Sequence, residues 1–107
     1  MTPQHSPREI AFWLDAAILS LASYDAAKRD GDATSLHAAV KTLVSVSCEY
    51  ESGWNDARAA ETFAQIDVRL QTLCRNPDAL RRAFRLAPDS ALWAAGDYDR
   101  LMKSGDA

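Results

Sequence analysis

Helix-start and helix-stop signals divide this sequence into segments and constrain its fold more than any other feature. Ser6-Pro7-Arg8-Glu9 matches a capping box, in which we expect the Ser6 hydroxyl and the Glu9 carboxylate to accept hydrogen bonds from backbone N–H groups, and Pro7 suits the first helical position. Asn76-Pro77 repeats the combination of cap and proline. All four glycines, at positions 31, 53, 96 and 105, fall where a helical pattern ends or breaks. The sequence therefore predicts several helices joined by short connections.

Apolar residues recur at three- and four-residue spacing within these segments, as they do on one face of an α-helix. This pattern predicts long helices over residues 6–28, 34–51 and 55–75 and a shorter helix over residues 77–86. Residues 90–102 predict a helical turn, a break at Gly96 and a last short helix capped by Asp97. We expect an all-α fold, a compact antiparallel helical bundle of three long helices plus two short C-terminal helices. One alternative stays open, because residues 44–50 also alternate at period two, as a strand does.

Length and composition indicate one ordinary folded domain. The chain has 107 residues, of which 48% are apolar and 25% charged, so we expect a single domain over 1–107 with flexible tails at 1–5 and 104–107. Residues 1–9 lack the pattern of a signal peptide, and no run of about 18 apolar residues indicates a membrane span. We therefore expect a cytoplasmic protein that does not contact a membrane. The alanine content and the excess of arginine over lysine favour a GC-rich bacterial source.

The first predicted helix carries apolar residues on two opposite faces. One broad stripe consists of Ile10, Trp13, Leu14, Ala17, Ile18, Leu21 and Tyr24. Phe12 and Leu19 lie about half a turn away and are seven residues apart, which is the spacing of a helix-to-helix seam. Either this helix is buried on all sides, or its second face is a homodimer seam or a partner site. Among the other segments, only residues 90–102 remain free to cover Phe12 and Leu19.

Residues suited to catalysis or metal binding are few and poorly spaced. The only histidines are His5 and His37, and Cys48 and Cys74 match no metal or redox spacing. We expect two free thiols, although a disulfide between them stays open. Neither a glycine-rich phosphate loop nor a nucleophile with its base is recognisable in the sequence. We therefore expect a protein that is not an enzyme and has no metal or cofactor.

Basic charge is concentrated near the fourth predicted helix. Residues 75–86 hold four arginines against one aspartate, a balance of +3 in a chain whose net charge is −3. With Leu80, Ala83 and Phe84 on the inner side, we expect Arg81, Arg82 and Arg85 to project outward. Three interpretations are open: the arginines solvate a short helix, contact an acidic protein surface, or contact nucleic-acid phosphates in a helix-turn-helix arrangement.

These observations favour a role in protein binding over a role in catalysis. We expect a non-enzymatic protein-interaction module, meaning a small adaptor, chaperone or inhibitor that binds a larger protein with an acidic surface. An inhibitor of host defence encoded by a phage is one such type. The predicted protein-binding residues are Phe12, Leu19, Arg81, Arg82 and Arg85, and homodimerisation through helix 1 is a further possibility. The alternative is a helix-turn-helix-like regulator that binds nucleic acid through its fourth helix.

Overall fold

The computed structural model describes residues 7–50 and 57–105. These residues form six helices, which are α1 (Pro7–Asp30), α2 (Ala33–Tyr50), α3 (Ala57–Leu70), α4 (Pro77–Leu86), α5 (Leu92–Ala95) and α6 (Tyr98–Gly105). No strand occurs in the described ranges, and the predicted all-α fold is confirmed. Residues 44–50 belong to α2, so the strand alternative for this segment is wrong.

Glycine and aspartate shape the sharp connection between α1 and α2. Gly31 adopts a φ of 70°, and the Asp32 backbone N–H donates to the Ala27 carbonyl at 2.9 Å, which closes the end of α1. The Asp32 carboxylate then accepts hydrogen bonds from the Ser35 backbone N–H at 3.1 Å and from the Ser35 hydroxyl at 2.7 Å. Because only two residues separate the helices, α1 and α2 pack as neighbours along much of their length.

The remaining helix boundaries agree with the sequence signals in part. α4 has the predicted bounds, and its cap is Asn76, whose side chain accepts from the Asp78 backbone N–H at 3.1 Å. α3 ends at Leu70 rather than near residue 75, because residues 71–73 form turns, with the Thr72 hydroxyl donating to the Arg69 carbonyl at 2.6 Å. α6 continues to Gly105, within the range predicted as a tail. The predicted caps at residues 6 and 55–56 and the break at residue 53 lie outside the described residues.

Helix α2 occupies the centre of the fold. It packs against α1, α3, α4 and α5, and Val40, Leu43 and Val44 on it are fully buried. The largest buried side chain elsewhere is Trp93 of α5, whose indole N–H donates to the Ala87 carbonyl at 3.0 Å. The core therefore lies between α2 and the helices around it.

The C-terminal helices dock away from the second face of α1. α5 packs on α2, and α6 packs on α4 and α5. Tyr98 at the start of α6 shares a hydrogen bond of 2.8 Å with His37 Nδ1 of α2. Phe12 and Leu19 remain 65% and 69% exposed. Of the two arrangements left open by the sequence, the structure has the one in which residues 90–102 leave this face uncovered.

Candidate protein-binding surface

One side of α1 faces solvent along the whole helix. We call this side the outer face and define it by the residues that lie within about 50° of the line midway between Phe12 and Leu19 around the helix. Two of them, Ala16 and Ala26, are half-buried and the others are exposed. The outer face consists of Arg8, Phe12, Asp15, Ala16, Leu19, Ser23, Ala26 and Asp30. Among the large apolar side chains of the described residues, Phe12 and Leu19 are two of the most exposed.

The opposite side of α1 supplies part of the core, largely as predicted. Leu14, Ala17 and Tyr24 are buried, and Ile10, Trp13 and Leu21 pack partly buried against the core. Ile18 was expected on the same stripe, but it is 50% exposed because it lies at the border of the inner side. The apolar surface beside the outer face is therefore larger than the sequence pattern predicts.

Polar contacts fix α1 against α3 and thereby hold the outer face in place. Arg69 of α3 donates to the two carboxylate oxygens of Asp25 at 2.8 and 3.3 Å. These hydrogen bonds hold the pKa of Asp25 below its ordinary value. The Tyr24 hydroxyl lies 2.8 Å from the hydroxyl of Thr72, just after α3. The outer face is thus presented by a helix that is anchored on its other side.

The structure corrects the predicted position of Arg81. We expected its side chain to project from α4, but Arg81 is only 3% exposed. Its guanidinium donates to Asp67 of α3 at 2.8 Å and also pairs with Asp78 of α4. It lies over the ring of Phe63, 5.0 Å from the ring centroid. Arg81 therefore joins α3 to α4 and is not available as a surface contact.

Burial and ion pairing act in opposite directions on Arg81. Burial alone lowers the pKa of the guanidinium, but the hydrogen bonds from Arg81 to Asp67 and Asp78 outweigh it and raise the pKa above its ordinary value. Arg81 consequently keeps its charge inside the fold. A buried positive charge is stable only beside groups of opposite charge, and the carboxylates of Asp67 and Asp78 fill that role.

Arg82 and Arg85 are exposed on α4, as predicted. α4 packs on α2 and α6, whereas α1 packs on α2 and α3. The apolar residues and the arginines predicted for one binding surface therefore lie on helices that share no substantial contact. The prediction that these residues bind a protein remains a prediction.

A cleft of about 390 Å³ lies between α2 and the segment that leads into α5. Its lining includes His37, Lys41, Asp89 and Ser90. The His37 ring shares a hydrogen bond with the Tyr98 hydroxyl, and the Ser90 hydroxyl accepts from the Leu92 backbone N–H at 3.2 Å, just before α5. Two polar groups of the cleft, those of His37 and Ser90, thus take part in contacts within the fold.

The cysteines and acidic residues give no metal site in the part of the chain that the structure describes. Cys48 and Cys74 are free and half-buried, so the structure has the predicted free thiols. Burial raises the pKa of the Cys74 thiol, which disfavours the reactive thiolate. Across residues 7–50 and 57–105, no group of three histidine, cysteine, aspartate or glutamate side chains is placed to hold a metal ion.

Helix α1 is also long and apolar enough, by length and composition alone, to cross a membrane from Arg8 to Asp30. Only 22% of its most apolar window is buried. Core helices of soluble proteins and signal sequences have the same properties, so this is weak evidence for a membrane protein. The expected cytoplasmic location remains a prediction.

Shallow depressions beside the outer face were not evident from the sequence. One, of about 280 Å³, is lined by small or acidic residues of α1, by Asp32 and by Ser35 of α2. A second, of about 300 Å³, lies between Ser20 and Ser23 of α1 and Thr42 of α2. Both depend on how α1 meets α2, and the only sequence signal for them is the run of small residues on the two facing helices.

Comparisons of this chain with protein-family models, with curated proteins and with solved structures found no match. Inference about function therefore rests on the geometry of the chain itself.

Proposed function

We propose that this chain is a non-enzymatic protein-interaction module whose main contact surface is the outer face of α1. The observation that carries the proposal is the exposure of Phe12 and Leu19, at 65% and 69%, on a helix that the rest of the fold anchors firmly. Which kind of module it is, whether adaptor, chaperone or inhibitor, depends on the partner.

Burial of these two side chains supplies a driving force for binding. Removing a large apolar side chain from water contributes roughly 1.5–3 kcal/mol when burial is complete. Phe12 and Leu19 lie about 10 Å apart along the helix axis, since seven residues separate them. Half-exposed Ile18 extends the apolar area on one side. Such a row suits a partner helix, whose side chains pack against anchors at seven-residue spacing.

The position of Arg81 favours a protein partner over nucleic acid. A helix-turn-helix reader needs several side chains of its recognition helix free to reach bases and phosphates. In α4, one of the three arginines predicted for that role is buried in an ion pair with Asp67 and Asp78. The exposed Arg82 and Arg85 lie on α4, which shares no substantial contact with α1, and the proposal gives them no part in the contact made by the outer face.

Site-specific photo-crosslinking tests the proposal. A benzophenone amino acid is placed at Leu19 in one variant and at Leu86 in another, because Leu86 is exposed to a similar degree, 63%, but lies on α4. The variants are irradiated in the organism that produces the chain, and crosslinked proteins are identified by mass spectrometry. We expect a discrete crosslinked product, including any product between two copies of the chain, from position 19 and not from position 86.

Leu19→Asp tests whether the crosslinked product depends on the apolar surface of the outer face. Introduced together with the crosslinker at Phe12, it should abolish the product, whereas Leu86→Asp in the same background should leave the product unchanged. The proposal fails if position 19 gives no discrete product, or if both positions give the same set of proteins.

A further inference from the structure

The outer face places residues of complementary size and charge at equal distances before and after Leu19. Arg8 and Asp30 lie eleven residues before and after it, at the two ends of the face. Phe12 and Ala26 lie seven residues before and after it. If two such helices pair in opposite directions with Leu19 against Leu19, each residue meets its counterpart across the centre. Self-complementarity of this kind is what a twofold interface requires.

The sizes of the paired residues match. In the antiparallel pairing, the large Phe12 side chain meets the small Ala26 of the second copy. The depression of about 280 Å³ described above has Ala26, Ser23 and Asp30 in its lining. A cavity of roughly 150 Å³ is enough to hold a benzene molecule. The depression therefore has room for a phenylalanine ring.

The charges match as well. Arg8 meets Asp30 of the second copy at each end of the pair, about 33 Å apart along the helix. Asp15 meets Ser23, whose hydroxyl is able to donate to a carboxylate. A parallel pairing would instead place Arg8 against Arg8 and Asp30 against Asp30. Both residues are exposed, and the contact of Asp30 in the described chain is a solvent-exposed ion pair with Arg29 at 3.6 Å.

We infer that the outer face of α1 binds the same face of a second copy of this chain, with the two helices antiparallel and Leu19 at the twofold axis. This inference rests on the proposed function, since it names the partner of the surface proposed there. Each copy would bury about a tenth of its 6670 Å² surface if the interface has the usual size for a stable pair of small proteins.

Charge reversal tests both the pairing and its direction. Sedimentation equilibrium on the purified full chain is carried out for wild type, Arg8→Asp, Asp30→Arg and the chain with both changes. Asp near a helix N-terminus and Arg near a helix C-terminus both favour the helix, so neither change weakens α1 itself. We expect each single reversal to raise the dimer dissociation constant about tenfold or more. The double reversal should restore it to within about threefold of wild type, because the antiparallel pair regains opposite charges.

Two further variants complete the test. Arg75→Asp changes the net charge as Arg8→Asp does but lies before α4, and it should leave the dissociation constant unchanged. Leu19→Asp should raise the constant about a hundredfold, because it places two carboxylates against each other at the axis.

The possible failures are distinguishable. A wild-type chain that stays monomeric at every concentration overturns the inference of a second copy, as does a dimer that the double reversal fails to restore. If the monomeric chain still gives a crosslink from position 19 to a different protein, the proposed function stands with another partner. If it instead floats with lipid vesicles and Leu19→Asp abolishes flotation, the face binds lipid and both proposals are wrong.

Discussion

At the scale of single residues, Arg81 shows what a helix pattern leaves undetermined. The sequence places it next to the inner residues of α4, only about 60° around the helix from Phe84, so its side is ambiguous. Its burial depends on Asp67, which belongs to another helix and lies 2.8 Å away. A pairing between separate helices has no local signature in one sequence. The arginine cluster consequently looked like one surface feature, although it contains one structural residue and several exposed ones.

Replacing Arg81 should therefore affect stability rather than binding. Arg81→Ala leaves the half-buried Asp67 carboxylate without its ion pair and removes the group that covers the Phe63 ring. We expect the free energy of unfolding to fall by about 2–4 kcal/mol, measured by urea denaturation. Arg75→Ala, at an exposed residue just before α4, should change it by less than about 0.5 kcal/mol. Equal effects of the two variants would contradict the buried position of Arg81.

The buried tyrosine Tyr98 gives a prediction about alkaline pH. Burial raises its pKa from 10.0 to about 12. Because the folded-state pKa exceeds the unfolded one, the stabilisation is complete below pH 10 and is lost as the pH rises toward 12. We expect the tyrosinate absorbance of the folded chain, which has three tyrosines, to include one component that ionises near pH 12. The free energy of unfolding should fall by up to about 1.4 kcal/mol per pH unit over the same range.

Tyr98→Phe is the control for that titration. It should remove the component that ionises near pH 12. If the variant instead loses a component near pH 10, Tyr98 is exposed and the docking of α6 is not as described.

At the scale of helices, local signals predicted the elements well and their lateral contacts poorly. The Asn76-Pro77 signal gave the start of α4, and Gly31 and Gly96 marked the ends of α1 and α5, because caps and left-handed residues act within a few positions. The end of α3 at Leu70 was missed, since residues 71–75 keep an apolar pattern that continues into a turn packed against the core. The candidate outer face followed from the periodicity of α1, but its exposure depended on where α5 and α6 dock.

Substituting alanine at two glycines with the same backbone conformation distinguishes the cost of backbone strain from the cost of a steric clash. Gly31 and Gly96 both have a φ of 70°, so alanine is strained at either position. A Cβ on Gly31 would meet nothing within 4 Å, whereas one on Gly96 would lie 2.2 Å from Cε1 of His37. We expect Gly31→Ala to lower the free energy of unfolding by about 1 kcal/mol and Gly96→Ala by about 2–4 kcal/mol in urea denaturation. Equal losses would show that the end of α5 does not approach α2 as described.

At the scale of the whole molecule, the hydrophobic core is complete without the outer face of α1. The C-terminal helices complete the core around α2 and α4, and Phe12 and Leu19 stay in solvent. Leu14, Ala17 and Tyr24 bury the opposite side of α1 in the core, so the outer face points to solvent. Both the proposed interaction module and the antiparallel pairing depend on the outer face lying outside the core.

The free energy of unfolding of Leu19→Asp tests this claim most directly. It is measured by urea denaturation at a protein concentration at which the wild-type chain is monomeric, with Leu14→Asp as the comparison, because Leu14 is 2% exposed on the same helix. We predict a loss of less than about 1 kcal/mol for Leu19→Asp, mostly from helix propensity. Leu14→Asp should lose several kcal/mol, about 3 or more, because it buries a charge in the core. A comparably large loss for Leu19→Asp would show that the outer face is part of the core and would contradict the account.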